Sequence, residues 1–326
     1  MNKFKELFWS DEHSQNHTVI LVTILAAVAI ISMISPNFFT YRNFVSILEQ
    51  SALYLILAIG MTLIMVTGGI DVSVGSILGL SVAVIGFSFN VLDLPVPVVV
   101  LIALVTGGLC GLTNGLFITK IKLPPIIATI ATLNIFRGLS YMLVGDNIYY
   151  RFPQAFRSIA TAKLFDIPSQ VFIALAVAFA VLFFLKYHYA GRYSVAIGSN
   201  IVASRLAGIR SNKVICLIYT IAGVLGGLAA IIMTAKLNSA QAVAGSGIEL
   251  HIIAVTVIGG TSLAGGYGTI LGTMMGTVLI AILENSLILM NVSYFWQKFV
   301  LGLMIVFAVA LRTMRNQQKI KKSLKN

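Results

Sequence analysis

Residues 214–234 form one uninterrupted apolar run, VICLIYTIAGVLGGLAAIIMT, in which no side chain is charged. A helix of about 20 apolar residues is long enough to cross the hydrocarbon core of a bilayer, which is about 30 Å thick. The run is continuous, whereas the strands of an outer-membrane barrel alternate apolar and polar residues. We therefore interpret it as a transmembrane helix.

The composition of the whole chain agrees with this interpretation. Of its 326 residues, 58% are hydrophobic and 10% are charged, and the mean hydropathy is +0.97. A soluble domain of this length carries roughly 25% charged residues. A soluble enzyme, a secreted disulfide scaffold and a disordered chain are thereby excluded. We predict an all-α fold, a polytopic integral membrane helical bundle.

Nine further segments resemble 214–234, so the chain is expected to cross the membrane about ten times. Several segments are close to the lower length limit for a span, and one of the breaks could instead be a kinked or re-entrant helix. The loops between the segments are too short for a soluble domain. The predicted spans cover residues 18–35, 51–67, 74–90, 96–118, 124–145, 169–187, 214–234, 249–264, 268–290 and 295–312.

The Lys and Arg residues predict the orientation of the bundle. The net charge is +12, and the basic residues lie beside apolar runs, which indicates a membrane topology and no nucleic-acid partner. With the N-terminus inside, 15 Lys and Arg fall on the cytoplasmic side and 6 fall outside. We therefore expect both termini in the cytoplasm. The expected parts are a cytoplasmic tail at 1–17, the membrane bundle at 18–312 and a basic cytoplasmic tail at 313–326.

Glycines recur at intervals of four residues within the predicted helices. In lipid, small residues allow helix backbones to approach closely. The simplest interpretation is tight packing, although such contacts would also suit a bundle that moves between two conformations. The rows are Gly75/Gly79, Gly107/Gly111/Gly115, Gly223/Gly227 and Gly268/Gly272/Gly276.

Two breaks between predicted helices have similar sequences. Residues 68–79 read GGIDVSVGSILG, and residues 259–272 read GGTSLAGGYGTILG. The likeness could be a remnant of an internal duplication, which is common in transporters, or chance in a chain with 28 glycines. In the first break, Asp71 or Ser73 could cap the helix that follows.

Several charged side chains fall inside or near the predicted spans, where an ionised group costs about 2.5–3.5 kcal/mol on insertion scales. They are Asp71, Arg137, Glu249, His251 and Glu284. Each could be paired for structural reasons, or it could line an aqueous path. The candidates for lining a path are Asn114, Asn134, Arg137, Glu249 and Glu284.

The longest predicted cytoplasmic loop, 189–213, contains the pattern of a short helix. Asn200 is a good N-cap and Gly208 a good residue just past the C-terminus, with about two turns between them. Val202, Leu206 and Ile209 fall on one apolar stripe. Because a helix this short is not stable alone in water, it must dock either on the membrane surface or into a groove of a cytoplasmic partner.

The chain lacks the usual signatures of catalysis. It has no G-x-x-x-x-G-K-[ST] phosphate loop, no H-E-x-x-H and no cluster with metal-ligand spacing. We therefore predict no enzymatic activity and no catalytic, cofactor-binding or metal-binding residues. If transport is driven by ATP, the ATPase must be a separate protein.

Four stretches carry a family resemblance, in matching order over roughly residues 40–312. They are 60–76, which includes Gly68, Gly69, Asp71, Ser73 and Gly75; 198–209; 245–250; and 258–266. Together they resemble the ribose-type permeases of bacterial ABC importers, which carry monosaccharides or autoinducer-2. The resemblance implies one permease domain over residues 1–326, in the bacterial inner membrane.

The resemblance also implies partners. Family members pair two permeases, as identical copies or paralogues, with an ATP-binding cassette ATPase that binds the ATP and a periplasmic or lipid-anchored sugar-binding protein. The outer loop 146–168 is a candidate docking surface for that binding protein. The short helix then matches the helix that couples to the ATPase, namely Asn200, Ile201, Val202, Ala203, Ser204, Arg205, Leu206, Ala207 and Gly208. Related permeases often have Glu-Ala-Ala where this chain has Ile201-Val202-Ala203.

Two alternatives remain from the residues alone. An ion-coupled secondary sugar transporter would work without an ATPase and would need buried acids, for which Asp71, Glu249 and Glu284 are the candidates. A receptor or scaffold subunit would need a soluble domain that the loops cannot hold. The sequence leaves the identity of the sugar open.

Overall fold

The computed structural model describes residues 11–293, 295–297, 299–300, 302–303 and 306. The helices in this part are α1 Asp11–Ile34, α2 Tyr41–Val66, α3 Val74–Asn90, α4 Val96–Thr119, α5 Pro125–Val144, α6 Gln154–Thr161, α7 Ser169–Tyr187, α8 Tyr189–Ser199, α9 Ile201–Leu206, α10 Ser211–Leu237, α11 Ile248–Ile258 and α12 Ile270–Leu289. Four two-residue strands lie between them: β1 Tyr149–Tyr150, β2 Lys163–Leu164, β3 Ile167–Pro168 and β4 Ser239–Ala240.

Seven of the described helices are long and apolar enough to cross a membrane: α1, α2, α4, α5, α7, α10 and α12. Helices α3 and α11 are apolar but shorter. The predicted class, a polytopic helical membrane protein, is confirmed. The tenth predicted span at 295–312 lies mostly outside the described residues, as do most of the predicted N-terminal tail and all of the C-terminal tail.

The predicted span over 249–264 is wrong in its length. Helix α11 stops at Ile258 and has 11 residues, which rise about 16 Å, roughly half of a bilayer core. The backbone turns at Gly260, where φ is +95°, and again at Gly265 and Gly266, where φ is +87° and +75°. Glycine adopts these left-handed conformations without steric penalty. The helix therefore ends at Ile258, although the apolar run continues beyond it.

Helices α4 and α10 form the most extensive helix pair in the bundle, and glycines make their close approach possible. A Cβ built on Gly107 would meet the carbonyl oxygen of Gly223, and one built on Gly111 would meet that of Tyr219. A Cβ on Gly227 would in turn meet the carbonyl oxygen of Ala103. Two of the predicted glycine rows therefore face each other across one helix crossing.

The similar breaks at 68–79 and 259–272 lie against each other. The Gly266 amide donates to the carbonyl oxygen of Val66 at 2.9 Å, and a Cβ on Gly265 would meet the backbone of Gly68. The end of α8 joins them, since a Cβ on Gly198 would meet both Val66 and Gly266. We call this three-way backbone contact the glycine junction.

The opposite face of the bundle carries the small strands. Strand β1 pairs with β4, and β2 pairs with β3 through a two-residue turn at Phe165 and Asp166, both with positive φ. Such a turn matches the twist of a hairpin. Helix α6 buries Phe156 against the bundle, whereas Phe165 at the hairpin tip is 86% exposed.

Candidate functional site

Helix α9 has the ends that its sequence predicts. The side-chain oxygen of Asn200 accepts hydrogen bonds from the backbone amides of Val202 and Ala203, each at 3.0 Å. Gly208 follows the helix with φ +82°. The structure adds α8 immediately before α9, within the segment predicted as a loop.

The apolar residues of α9 face outward. Leu206 is 85% exposed and Val202 is 63% exposed, while Ser204 is the residue that the helix buries. Val202 and Leu206 therefore do not dock on the bundle, whereas Ile209, the third residue of the predicted stripe, packs against its core. The base of α9 is also fixed, because α8 ends in the glycine junction with Gly198.

A buried polar network fills the break between α2 and α3. Asp71 is 2% exposed, and its Oδ1 accepts from the amide of Ser73 at 2.8 Å and from its hydroxyl at 2.6 Å. Asn114 of α4 donates to the Ser73 hydroxyl at 2.8 Å and accepts from Thr132 of α5 at 2.6 Å. The predicted capping role is wrong for both residues, because α3 has no side-chain cap and Asp71 binds the amide of Ser73, which precedes the helix. The network instead ties the break to two helices.

Arg137 lies at a second polar centre. Its Nη1 donates to the carbonyl oxygens of Ala242 and Ala244, each at 2.7 Å, and its Nη2 donates to that of Gly75 at 3.3 Å. Glu249 interacts electrostatically with Arg137 and lies beside Gly75, where a Cβ would meet its carboxylate. The glycines of α3 therefore leave the space that the guanidinium and the carboxylate occupy.

A third centre joins α2, α11 and α12. His251 Nδ1 lies 3.1 Å from Glu284 Oε1, and Gln50 donates to Glu284 Oε2 at 2.7 Å. The ring of Tyr54 packs over that of His251, with centroids 4.1 Å apart. The sequence marks His251 and Glu284 as candidates but not Gln50, which lies just before the predicted span 51–67 and carries no distinguishing signal.

The five candidates for lining a path do not converge on one site. Arg137 and Glu249 share the second centre, Glu284 belongs to the third, and Asn114 is fully buried in the first. Asn134 is exposed on α5, where its side-chain amide donates to the Ile130 carbonyl of its own helix at 3.0 Å.

Within the described residues, no group of three or more His, Cys, Asp and Glu side chains could hold a metal ion. The polar groups are distributed between helices, and the glycine rows hold backbones together. This arrangement ties the helices to one another, and Asn134 adds one exposed amide.

Comparisons with known proteins identify the family. A family model described as the branched-chain amino acid transport system / permease component matches residues 43–309. The ribose import permease protein RbsC of Escherichia coli strain K12 is 39% identical over 297 residues, which cover 89% of this chain and 91% of that protein.

Other relatives agree. RbsC of Bacillus subtilis strain 168 is 40% identical over 288 residues, 87% of this chain and 88% of that protein. The autoinducer 2 import system permease protein LsrC of Yersinia pseudotuberculosis serotype O:1b is 33% identical over 286 residues, 88% and 81% of the two chains. No solved structure matches the chain. The chain is a multi-pass protein of the cytoplasmic (inner) membrane, and it belongs to this family of transport-system permease components.

Proposed function

We propose that the chain is the permease subunit of an ABC importer for a monosaccharide, either a ribose-like sugar or a related furanosyl compound. The named activities of the relatives, import of ribose and of autoinducer 2, support a sugar over the amino acid in the family description. ATP is bound and hydrolysed by a separate ATP-binding cassette subunit. A periplasmic or lipid-anchored binding protein delivers the sugar.

The exposed, capped helix α9 carries this proposal. An isolated helix of six residues is unstable in water, and here its apolar side chains Val202 and Leu206 lie in solvent. A groove on a cytoplasmic partner would bury them. We therefore assign residues 200–208 as the segment that couples to the ATPase.

The glycine junction supplies the connection to the membrane helices. When the ATPase closes on ATP and displaces α9, the end of α8 moves against Val66 and Gly266, at the breaks that follow α2 and α11. Because these contacts are between backbones, the movement reaches α2 and α12 directly. Hydrolysis then returns the bundle to its inward-facing state.

We place the sugar path between this chain and a second permease, along the exposed face of α5. Asn134 is a polar side chain on a face of α5 that also presents Ile127, Ile130 and Tyr141. A lipid-facing amide is unfavourable, whereas an amide beside a sugar path finds hydroxyl partners. The outer loop with the exposed Phe165 is the proposed contact for the binding protein.

The substitution Leu206→Asp tests the coupling role. It places a charge where a partner groove would bury an apolar side chain, so we expect sugar uptake to fall at least about tenfold while ATP hydrolysis continues. Uptake of radiolabelled ribose and release of phosphate are measured together in proteoliposomes that contain the assembled transporter and binding protein.

Ile121→Asp is the matched control. Ile121 is 60% exposed in the α4–α5 loop, on the same predicted cytoplasmic face but outside α9. We expect this variant to keep coupled uptake. Normal uptake by Leu206→Asp, or an equal loss in Ile121→Asp, would contradict the assignment.

The ion-coupled alternative is not favoured. Its candidate Asp71 already accepts hydrogen bonds from Ser73 inside a closed network with Asn114. Uptake by the chain alone, driven by an ion gradient in vesicles, would nevertheless overturn the proposal.

A further inference from the structure

A large cavity lies at the base of α9, on the predicted cytoplasmic face. Its volume is about 1120 Å³, slightly above the roughly 300–1000 Å³ that is usual for ligand pockets. Its walls come from the break after α2, the facing ends of α4 and α5, the end of α8, and the first turns of α9 and α10.

The lining is strongly basic. Lys122, Arg205, Arg210 and Lys213 line the cavity, and no Asp or Glu is among its lining residues. None of these four side chains forms an ion pair within the described part of the chain. Four like charges around one concave space repel one another, so a counter-anion in the cavity would lower the electrostatic free energy.

Two helix N-termini also meet the cavity. Helix α5 begins at Pro125 and α10 begins at Ser211, and neither has a side-chain cap. The helix dipole at such ends favours a bound anion. The dipole carries this contribution, because Pro125 has no N–H and the amides of Ser211 and Lys213 already donate to the carbonyl oxygens of Ile209 and Arg210. The carbonyl oxygens at the C-terminal end of α4 would disfavour an anion. One of them, that of Thr119, is occupied because the Asn212 side chain donates to it at 3.4 Å.

The floor of the cavity carries a buried polar group. Tyr219 is 1% exposed and lines the cavity, and within the described part of the chain its hydroxyl has no hydrogen-bond partner. The hydroxyl lies beside Gly69, where a Cβ would be 2.5 Å from it. Tyr219 is about 12 Å along α10 from Ser211, so the floor of the cavity lies well below the start of that helix.

Uncharged polar groups complete the lining. Hydroxyls of Thr67, Ser199 and Ser211 and the amide of Asn212 stand among the cations. Cations suit a phosphate, and hydroxyls and amides suit the hydroxyl groups of a small carbohydrate or glycerol. Asp71, which interacts electrostatically with Tyr219, lies outside the lining.

We propose that this basic cavity binds a phosphate group carried by a small polyhydroxylated molecule, which is either a soluble sugar phosphate or a phosphoglycerol lipid headgroup. Arg210 and Lys213 hold the phosphate, and the Tyr219 hydroxyl bonds to the ligand at the floor. Because Arg205 belongs to α9, the bound ligand bridges α9 to α10. This restraint on coupling rests on the proposed function, whereas the binding itself does not.

Binding is tested on the intact chain in nanodiscs of neutral lipid, without the ATPase, by calorimetric titration with ribose 5-phosphate. We expect saturable binding that weakens at least about tenfold in the double variant Arg210→Gln/Lys213→Gln. The double variant Lys186→Gln/Arg192→Gln, which removes two cations outside the lining, should bind as the wild type does. Ribose, which lacks the phosphate, should not bind in the cavity.

Tyr219→Phe separates a ligand contact from a structural role. It removes a hydroxyl that has no partner among the described residues, so folding should be unaffected, and affinity for ribose 5-phosphate should fall about threefold to tenfold. Phosphatidylglycerol in the nanodiscs could compete with ribose 5-phosphate for the cavity. If it weakens ribose 5-phosphate binding in the wild type but not in Arg210→Gln/Lys213→Gln, the lipid headgroup is the occupant and the proposed site is supported.

Three results would overturn the proposal. The first is that ribose 5-phosphate shows no saturable binding and phosphatidylglycerol has no effect. The second is that both double variants lose affinity for ribose 5-phosphate equally. The third is that binding is lost when the ATPase is added. The last result would mean that a protein segment fills the cavity. A failure of α9 to couple would leave the binding result untouched.

Discussion

Gly111→Leu should leave little folded permease. The side chain would project from α4 onto the carbonyl oxygen of Tyr219, and the backbone of α10 cannot rotate away as a side chain could. Overpacking against side chains already costs about 1–3 kcal/mol, and here the whole α4–α10 contact must separate. We expect a loss of at least about 3 kcal/mol, seen as aggregation in size-exclusion chromatography and a lowered melting temperature in detergent.

Gly138→Leu is the control for this substitution. Gly138 lies on the exposed face of α5, and a Cβ there meets nothing within 4 Å. The same change of residue should therefore give a monodisperse single chain with a melting temperature close to that of the wild type. Equal aggregation of both variants would show that leucine in these helices, and not the crossing, is responsible.

Arg137→Met should have the second large effect. It leaves the carbonyl oxygens of Ala242 and Ala244 without their donor and leaves Glu249 without the nearby positive charge. Arg137 and Glu249 are only half-buried, so the loss should fall below the value of about 3–5 kcal/mol for a fully buried charge pair. We expect a loss of about 1–3 kcal/mol, because the carbonyl oxygens of Ala242 and Ala244 stay desolvated. We expect a melting temperature lowered by several degrees in detergent.

Companion variants identify the cause. Arg42→Met removes an exposed arginine at the start of α2 and should change the free energy of unfolding by no more than about 0.5 kcal/mol. Adding Glu249→Gln to Arg137→Met should recover part of the loss if the unpaired carboxylate contributes to it. No recovery would assign the loss to the two carbonyl oxygens, and an unchanged melting temperature in Arg137→Met would contradict the structural role of Arg137.

The features that the sequence predicted well depend on neighbouring residues. The long spans follow from apolar runs, and the ends of α9 follow from Asn200 and Gly208, whose capping roles need no distant partner. The prediction of a span at 249–264 was wrong because it, too, relied on neighbouring residues alone. Hydropathy averages over the run and does not register that Gly259 and Gly260 end the helix.

The polar centres could be predicted only in part. The charge of Arg137 marked it as important, but its acceptors are backbone carbonyls more than 100 residues away, and a backbone carbonyl leaves no mark in the sequence. The glycine rows were visible as spacings. Which row faces which depends on how the helices cross, and that is fixed by packing of the whole bundle.

The glycine junction has a mechanical consequence. Side chains between two moving parts can change rotamer and absorb a small displacement, but Gly198, Gly265 and Gly266 meet their neighbours through main-chain atoms. Main-chain atoms cannot change rotamer. A displacement of well under an ångström at the surface must therefore either move the membrane helices or break the contact. For the same reason, these three positions should tolerate almost no residue larger than glycine.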